Sequence, residues 1–316
     1  MVRGGPLTST LVAVAALALY LAGPRVAPGA VAEKASIPSK GPCAYLHPSD
    51  QRISWTCRSI ARGETHETLF GDSWRAVARF NRIDRRHVRP GTWIKGSDRL
   101  AELPDFTPIP QHYAPADSEA RFILIDLTEQ FLGAYEYGTL VLSAPLATGR
   151  PDNPTPTGDF RIDAADLKHR SSRYTIAKTG VRYPMHYGLR FLRTPRGVSY
   201  WIHGRYLPGY PASHGCVGLY DEAMQARYYG EPKRAELDDA RRLFEWAVGP
   251  LLEGQSVREN LDGPRVRVVG RAPRRGEAPA TSQSLPNGIR PNGSSSCGSS
   301  KTRLASRWSY LGSVGG

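Results

Sequence analysis

One stretch of the chain brings a histidine and a cysteine together in a pattern that could support acyl transfer. Residues 201–219 read WIHGRYLPGYPASHGCVGL, in which His203 precedes Cys216 by thirteen positions. An imidazole can take the proton of a thiol, and the thiolate that results is the true nucleophile. A cysteine or a histidine that stands alone is usually structural, but here the two occur together. We therefore predict that Cys216 is a nucleophile and that His203 is its base.

The elements around this pair must bring the two side chains close in space. Residues 200–202 are aromatic or β-branched, which predicts a buried strand that ends at His203. The proline- and glycine-rich segment 204–212 cannot continue a strand or a helix, so we predict a loop that returns the chain to His203. Gly215 has no side chain, which would let the amides of Gly215 and Cys216 point at a developing oxyanion.

This stretch resembles the catalytic signature of the L,D-transpeptidases, the cysteine enzymes that cross-link bacterial peptidoglycan. That signature is a histidine followed by a small residue, a variable segment, then Ser/Thr-His-Gly-Cys, an apolar residue, and Arg or Asn. His203-Gly204 and residues 213–217 match it in order, and the short loop YLPGYPA resembles one branch of the family. Gly218 stands where the family carries Arg or Asn.

The resemblance implies a mainly β catalytic domain with peripheral helices, and it implies roles for the residues of the motif. Cys216 and His203 would be catalytic, and the carbonyl of Gly204 would orient the His203 ring. Arg205 lies two residues beyond His203, close enough to supply the charge that Gly218 lacks. The other residues implied are His214 and Gly215 around the oxyanion, and Ser213, Tyr206 and Arg205 at the substrate. The family chemistry needs no cofactor and no metal.

By that chemistry, Cys216 attacks the carbonyl between the third stem residue and the terminal D-Ala. A second stem peptide then takes the acyl group in a 3→3 cross-link. A protein or a D-amino acid as acceptor would make the enzyme an attachment enzyme, and water would make it a carboxypeptidase. Three other interpretations stay open. The first is a zinc hydrolase that uses His203, His214 and Cys216, and the second is a non-catalytic wall-binding protein whose site is altered at Gly218. The third is a secreted nucleic-acid binder, which rests on charge alone and predicts that DNA affinity falls steeply with salt.

The composition is basic, with 42 Lys and Arg against 29 Asp and Glu and a formal net charge of +13 over 316 residues. Such a charge suits polyanions, and nucleic acid is one of them. The basic residues are scattered, however, and no nucleic-acid motif surrounds them. We therefore predict peptidoglycan in an anionic cell envelope as the partner, and not nucleic acid.

The beginning of the chain predicts export. Arg3 precedes the uncharged apolar run 11–22, and Ala30-Val31-Ala32 offers an A-x-A cleavage pattern. We expect a signal peptide at residues 1–32 and a mature protein in the periplasm or the cell wall; an uncleaved signal would instead anchor it to the membrane. In such an oxidising compartment Cys43 and Cys57 are expected to pair.

Before the catalytic region, residues 33–52 are predicted to be a linker and residues 53–100 a small module. Its strand, helix, helix, strand order and the cues RGET, FNRID and RPGTWIK resemble a lysin motif. That family binds the N-acetylglucosamine glycan of peptidoglycan; the alternative is a packing domain that binds nothing. The basic run 82–89 is predicted to be a solvated face.

The rest of the chain divides into a Pro-rich linker at 101–120, the catalytic domain at 121–270 and a disordered basic Ser/Gly-rich tail at 271–316. The tail contains Cys297, to which we assign no function. Within the catalytic domain, alternation predicts a meander of three strands, helices at 220–229 and 235–248, and a closing strand at 265–269. The segment 165–184 is predicted to be irregular, with His169 as a structural or surface residue; His186, which follows it, is assigned the same role. Residues 148–158 form a proline-bound loop, predicted either to contact substrate or to be a rigid connection.

Overall fold

The computed structural model describes Met1 and residues 41–279, except positions 98, 100, 101, 105, 178 and 250–255. The predicted signal peptide, its cleavage site and most of the predicted tail therefore lie outside the described residues. Within the described part, no helix is long and apolar enough to cross a membrane. The described residues belong to one compact unit.

The described chain is mainly β, as the sequence predicts. Its strands are β1 Thr56–Ser59, β2 Trp93–Gly96, β3 Phe122–Asp126, β4 Phe131–Glu136, β5 Thr139–Pro145, β6 Gly158–Arg161, β7 Ala164–Asp166, β8 Arg170–Thr175, β9 Arg182–Pro184, β10 Gly188–Arg193, β11 Ser199–Arg205, β12 Val217–Tyr220, β13 Val257–Glu259 and β14 Arg265–Val269. Its α-helices are α1 His66–Phe70, α2 Trp74–Phe80, α3 Glu222–Tyr229 and α4 Asp239–Val248.

Two five-stranded sheets enclose the main core. One has the strand order β12-β11-β10-β7-β13 and the other the order β5-β4-β3-β14-β6. Apolar side chains from both sheets meet in one cluster, which α4 closes from the side. The helix contributes the face that its spacing predicts, namely Ala240, Leu243, Phe244 and Ala247. The prediction of a β domain with peripheral helices is therefore confirmed.

Two parts of the secondary structure differ from the sequence prediction. The strand predicted to end at His203 continues through Arg205, because β11 pairs with β12 as far as Arg205 and Tyr220. The segment 165–184, predicted to be irregular, contains β7 and the antiparallel pair β8–β9. Most of the β8 side chains are exposed and polar, so this hairpin carries no apolar alternation that the sequence could reveal.

The N-terminal region contains β1, α1, α2 and β2, and its two strands pair antiparallel. Cys43 and Cys57 form a disulfide with their Cα atoms 6.0 Å apart, which fastens the first described residues to β1. The following segment does not behave as a free linker, because Ile109 and Tyr113 are buried against Phe122 of β3. Residues 271–279 also make contacts, since the amide of Gly276 donates to the carbonyl of Ala44.

A buried cluster of charges joins the N-terminal region to the turn between β3 and β4. Arg82 is 1% exposed and lies between two carboxylates, 3.5 Å from Asp50 and 3.5 Å from Glu129. Lys95 donates to Asp50 at 2.5 Å, and the Arg82 Nε donates to the Glu129 carbonyl at 3.1 Å. The prediction that residue 82 lies on a solvated face is therefore wrong. Its charge is compensated inside the protein, by partners that are distant in sequence.

Replacing Arg82 with alanine should lower the free energy of unfolding by about 3–5 kcal/mol, because the variant leaves the buried carboxylate of Glu129 without its cation and leaves Asp50 with Lys95 alone. Urea denaturation followed by circular dichroism measures the loss. The matched control is Arg161→Ala, which removes a surface pair with Asp262 and should cost about 1 kcal/mol or less. Equal losses in the two variants would contradict the inference that the buried cluster fastens the two regions.

Candidate active site

The pairing of β11 with β12 determines where the two reactive side chains lie. The strands are parallel, with Ile202 opposite Val217 and His203 opposite Gly218. Ile202 and Val217 point into the main core, so side chains one position away point to the other face, which we call the outer face. Cys216 precedes β12 by one residue and packs in the cluster that contains Trp201. Cys216 and His203 are therefore diagonal neighbours on the outer face.

His203 is held as a neutral base. Its ring is buried, with 3% of the residue exposed, and Nδ1 lies 2.8 Å from the carbonyl oxygen of Gly204. A carbonyl only accepts, so Nδ1 carries the proton and Nε2 keeps its lone pair. Burial lowers the pKa of His203 to about 3, although the bond to Gly204 opposes that effect. This is the orientation that the sequence analysis expects from the Gly204 carbonyl.

Cys216 rests as a thiol. Burial raises the pKa of its side chain, and a hydrogen bond from the Trp201 backbone and the charge of Arg205 only partly oppose that effect. A protonated thiol is a poor nucleophile, so the residue needs a base during the reaction. The neighbouring neutral imidazole of His203 can provide that base.

A tight turn carries the half-buried Cys216 and is stabilised by hydrogen bonds within the turn. The Ser213 hydroxyl donates to the Cys216 carbonyl at 2.5 Å and accepts from the Gly215 amide at 3.0 Å. Gly215 has φ +111°, and a Cβ there would lie 2.6 Å from the ring of Tyr200, so only glycine fits. The Gly215 amide is committed to Ser213, so its predicted oxyanion role would require that bond to open. The Ser213 hydroxyl is likewise engaged within the turn.

The loop at 148–158 braces this turn. The Thr148 carbonyl accepts from the Ser213 amide at 2.9 Å, and the Arg150 amide donates to the Ser213 carbonyl at 3.1 Å. Thr155 donates from its hydroxyl to the Gly215 carbonyl at 2.9 Å. Of the two predictions for this loop, these bonds match the rigid connection, and substrate contact stays a prediction.

The loop between β11 and Ser213 is held by a residue that the sequence analysis missed. Asp84 is fully buried, its carboxylate accepts from the Leu207 amide at 2.6 Å, and its own amide donates to the Leu207 carbonyl at 2.8 Å. The other carboxylate oxygen accepts from the His87 ring at 2.7 Å. The His87 ring packs on Tyr206, with centroids 5.1 Å apart. An aspartate in a basic run carries no sequence signal for such a distant contact.

His214 lies at the edge of the site. Its ring is exposed and stacks on Tyr174 of β8, with centroids 4.6 Å apart. The zinc interpretation requires His214 to converge with His203 and Cys216. Within the described ranges, no group of three or more His, Cys, Asp or Glu side chains is placed to bind a metal.

The other two histidines near the site have structural contacts. The His169 ring stacks on Trp201 at 4.0 Å between centroids, and its Nδ1 lies 3.0 Å from Asp166. The carbonyl of His186 accepts from the Gly204 amide at 2.7 Å. The His169 ring therefore packs against Trp201 of β11, and the His186 backbone is hydrogen-bonded to Gly204 of the same strand.

Arg205 fills the space that Gly218 leaves open. Arg205 follows His203 by two positions on the same face of β11, opposite Tyr220. A Cβ built on Gly218 would lie 2.3 Å from the Arg205 Cδ and 2.6 Å from its Cγ. Glycine at 218 is thus required by the arginine that passes over it, and the departure from the family motif is paired with a large side chain on the neighbouring strand.

Residues 120–262 match the family model of the L,D-transpeptidase catalytic domain, YkuD. This match covers His203, the turn and Cys216, and it confirms that the β sheets have the L,D-transpeptidase-type fold. None of the curated proteins is significantly similar to the chain.

Solved L,D-transpeptidases are distant from this chain. The enzyme from Stackebrandtia nassauensis is 18% identical, with a TM-score of 0.36 over 66% of this chain and 70% of its own. The enzyme from Xylanimonas cellulosilytica is 22% identical, with a TM-score of 0.36 over 61% and 77%. The enzyme from Mycobacterium smegmatis is 17% identical, with a TM-score of 0.32, and this chain spans 58% of its length and aligns over 48% of its own.

The resting protonation states predict how the thiol responds to pH. Because burial raises the pKa of Cys216 and keeps His203 neutral, alkylation by iodoacetamide should accelerate about tenfold per pH unit from about pH 6 to about pH 9. The rate is measured by intact mass in the Cys297→Ser background, with Cys216→Ala as the blank. A plateau between about pH 5 and pH 8 would instead indicate a preformed thiolate–imidazolium pair.

Proposed function

We propose that the protein is a cysteine-dependent L,D-transpeptidase that acts on peptidoglycan stem peptides. The observation that carries the proposal is the outer face of β11 and β12, where a buried neutral imidazole and a protonated thiol are diagonal neighbours. In such a pair the imidazole can take the thiol proton as a substrate is attacked, and the thiolate is the nucleophile of acyl transfer. The family match at residues 120–262 supports the same class of reaction.

In the first half of the reaction, His203 Nε2 takes the thiol proton while Cys216 Sγ attacks the carbonyl of the third stem residue. A thioester forms, the peptide bond to the terminal D-Ala breaks, and the imidazolium returns its proton to the leaving amine. The Gly204 carbonyl stabilises the imidazolium through Nδ1. No group in this step needs a metal or a cofactor.

In the second half, an acceptor amine attacks the thioester and gives its proton to His203. His203 passes that proton to the sulfur, and Cys216 leaves as the thiol. A second stem peptide gives a 3→3 cross-link, whereas a protein or a D-amino acid would be attached to the stem. Water in place of the amine would make a carboxypeptidase. The product mixture therefore identifies the acceptor.

The place of action that we propose is the periplasm or the cell wall. The apolar run and the A-x-A pattern at residues 1–32 support export, and the disulfide between Cys43 and Cys57 suits an oxidising compartment. The lysin-motif-like order of β1, α1, α2 and β2 supports glycan as a second contact with the wall.

A second candidate is a wall-binding protein that is non-catalytic or only hydrolytic. Gly218 favours it, since the family motif carries Arg or Asn there. The two candidates differ in what they leave on the thiol and on the substrate. Both would retain wall binding, so only the chemistry separates them.

Replacing Cys216 with alanine should abolish acylation by a carbapenem and all conversion of tetrapeptide muropeptides, because Cys216 is the only free cysteine among the described residues. Cys297→Ala is the matched control and should keep both activities. Intact mass detects the adduct, and mass analysis of the muropeptides identifies cross-linked, exchanged or shortened products. A carbapenem adduct on Cys216→Ala would refute the assignment, and an adduct without any turnover in the unaltered protein would favour the second candidate.

If residues 53–100 bind glycan, soluble N-acetylglucosamine oligomers should release the Cys216→Ala protein from purified sacculi. Full-length protein is required, because removing the module would also remove Arg82, the buried cation that pairs with Glu129. Sedimentation of sacculi with increasing oligomer measures the release, and cellobiose oligomers are the control. Release by salt alone, with no response to the oligomers, would show that binding comes from the net charge of +13.

A further inference from the structure

Arg205 is a buried cation without an acidic partner. The residue is 7% exposed, and no carboxylate in the described part of the chain lies within 4.0 Å of its guanidinium. Among the described residues, only its Nη2 finds an acceptor, the Ala212 carbonyl at 3.2 Å, and its Nε is buried without a partner. A buried charge is normally paired, because the cost of removing it from water is several kcal/mol. Arg82, which is buried to a similar degree, has two carboxylates.

A second buried donor without a partner lies close by. The hydroxyl of Tyr183, on β9, is buried and makes no hydrogen bond within the described residues. Tyr206 joins the two donors, because the Arg205 guanidinium lies 4.6 Å from the Tyr206 ring centroid and Tyr183 meets the same ring edge-on at 6.3 Å. The aromatic face of Tyr206 offsets only part of the desolvation of a guanidinium.

Both donors adjoin the nucleophile. Tyr183 and Cys216 pack against the same apolar cluster, which includes Met185 and Trp201. Arg205 extends over Gly218, two residues after Cys216, since a Cβ on residue 218 would lie 2.3 Å from the Arg205 Cδ. Its charge is among the effects that oppose the raised pKa of Cys216. Burial likewise raises the pKa of Tyr183, and there too the Arg205 charge acts in the opposite direction.

The arginine is held rigidly in this position. Its aliphatic carbons lie over Gly218, where no other residue type would leave room for them. Its Nη2 is fixed by Ala212, just before the turn that carries Cys216. The remaining N–H groups therefore have a defined direction, and a rigid guanidinium fork matches a planar carboxylate.

We propose that Arg205 and Tyr183 form a carboxylate-binding subsite beside Cys216, which holds a carboxylate of the donor stem peptide next to the scissile bond. This inference rests on the proposed function, since it names the part of the substrate that the site recognises. Two carboxylates lie close to that bond, namely the terminal one of the leaving D-Ala and the one on the side chain of the third residue. In either case the subsite makes a free acid a condition of efficient binding.

The test uses three synthetic tetrapeptide donors: the free acid, its D-alaninamide, and the form amidated on the third side chain. With the unaltered protein, amidation of the recognised carboxylate should raise KM about tenfold to a hundredfold and change kcat less, as expected for a lost charge-assisted bond. The donor that is affected identifies which carboxylate is bound. This arm needs no variant, so a failure to fold cannot obscure it.

The variants complete the comparison. Arg205→Ala should raise KM for the free acid by a similar factor. It should leave KM nearly unchanged for the amide donor that the unaltered protein already binds poorly. Tyr183→Phe should raise KM for the free acid by a smaller factor. Adding Gly218→Arg to Arg205→Ala should partly restore discrimination, because the space over residue 218 is then open. Arg173→Ala, which removes an exposed arginine of β8, is the control and should not discriminate between donors.

Binding measured separately from turnover distinguishes a failure of the carboxylate subsite from a failure of the proposed reaction. Calorimetric titration of the three donors into Cys216→Ala protein reports affinity without chemistry. Discrimination between acid and amide that depends on Arg205 would support the subsite even if the active protein released no product. Equal affinity for all three donors, or a loss with Arg205→Ala that is the same for acid and amides, would overturn it.

Discussion

The parallel register of β11 and β12 is the constraint on which the rest of the site depends. It places His203 opposite Gly218 and therefore diagonal to Cys216, and it leaves their side chains on the face away from the core. Parallel neighbours cannot be joined by a hairpin, so the chain must cross over between them, usually through a dozen or more residues. Here residues 206–216 complete the crossing without a helix, and the same loop delivers the nucleophile.

A crossover this short has no core of its own, and its conformation is fixed by contacts from elsewhere. Asp84 holds Leu207 from the N-terminal side, and Thr148 holds the turn from the opposite side. The hydroxyl of Tyr220, on β12, is hydrogen-bonded to the carbonyl oxygens of Ala78 and Ile83, which share it as acceptors. The N-terminal region is therefore part of what positions the reactive residues, in addition to any contact that it makes with the wall.

The sequence predicts best where a pattern is local. The strands β3 to β5 and the closing strand β14 alternate or are uniformly apolar, and the His203 to Cys216 spacing carries its own chemical meaning. The sequence predicts burial poorly for a residue whose contacts come from distant parts of the chain. Arg82 stands in a basic run typical of a solvated face and is buried among carboxylates from distant parts of the chain. The β8–β9 hairpin has mostly exposed, polar side chains in β8, so no apolar alternation marks it.

The raised pKa of Cys216 also bears on how long its thiol stays reduced in the oxidising compartment that we propose. An environment that closes the disulfide between Cys43 and Cys57 would oxidise an exposed thiolate as well. Thiol exchange and sulfenic acid formation both proceed through the thiolate. Burial keeps the resting sulfur of Cys216 protonated and so slows its reaction with oxidants, and the proposed reaction needs the thiolate only while a substrate is attacked. The same burial that slows the resting thiol thus extends its chemical lifetime.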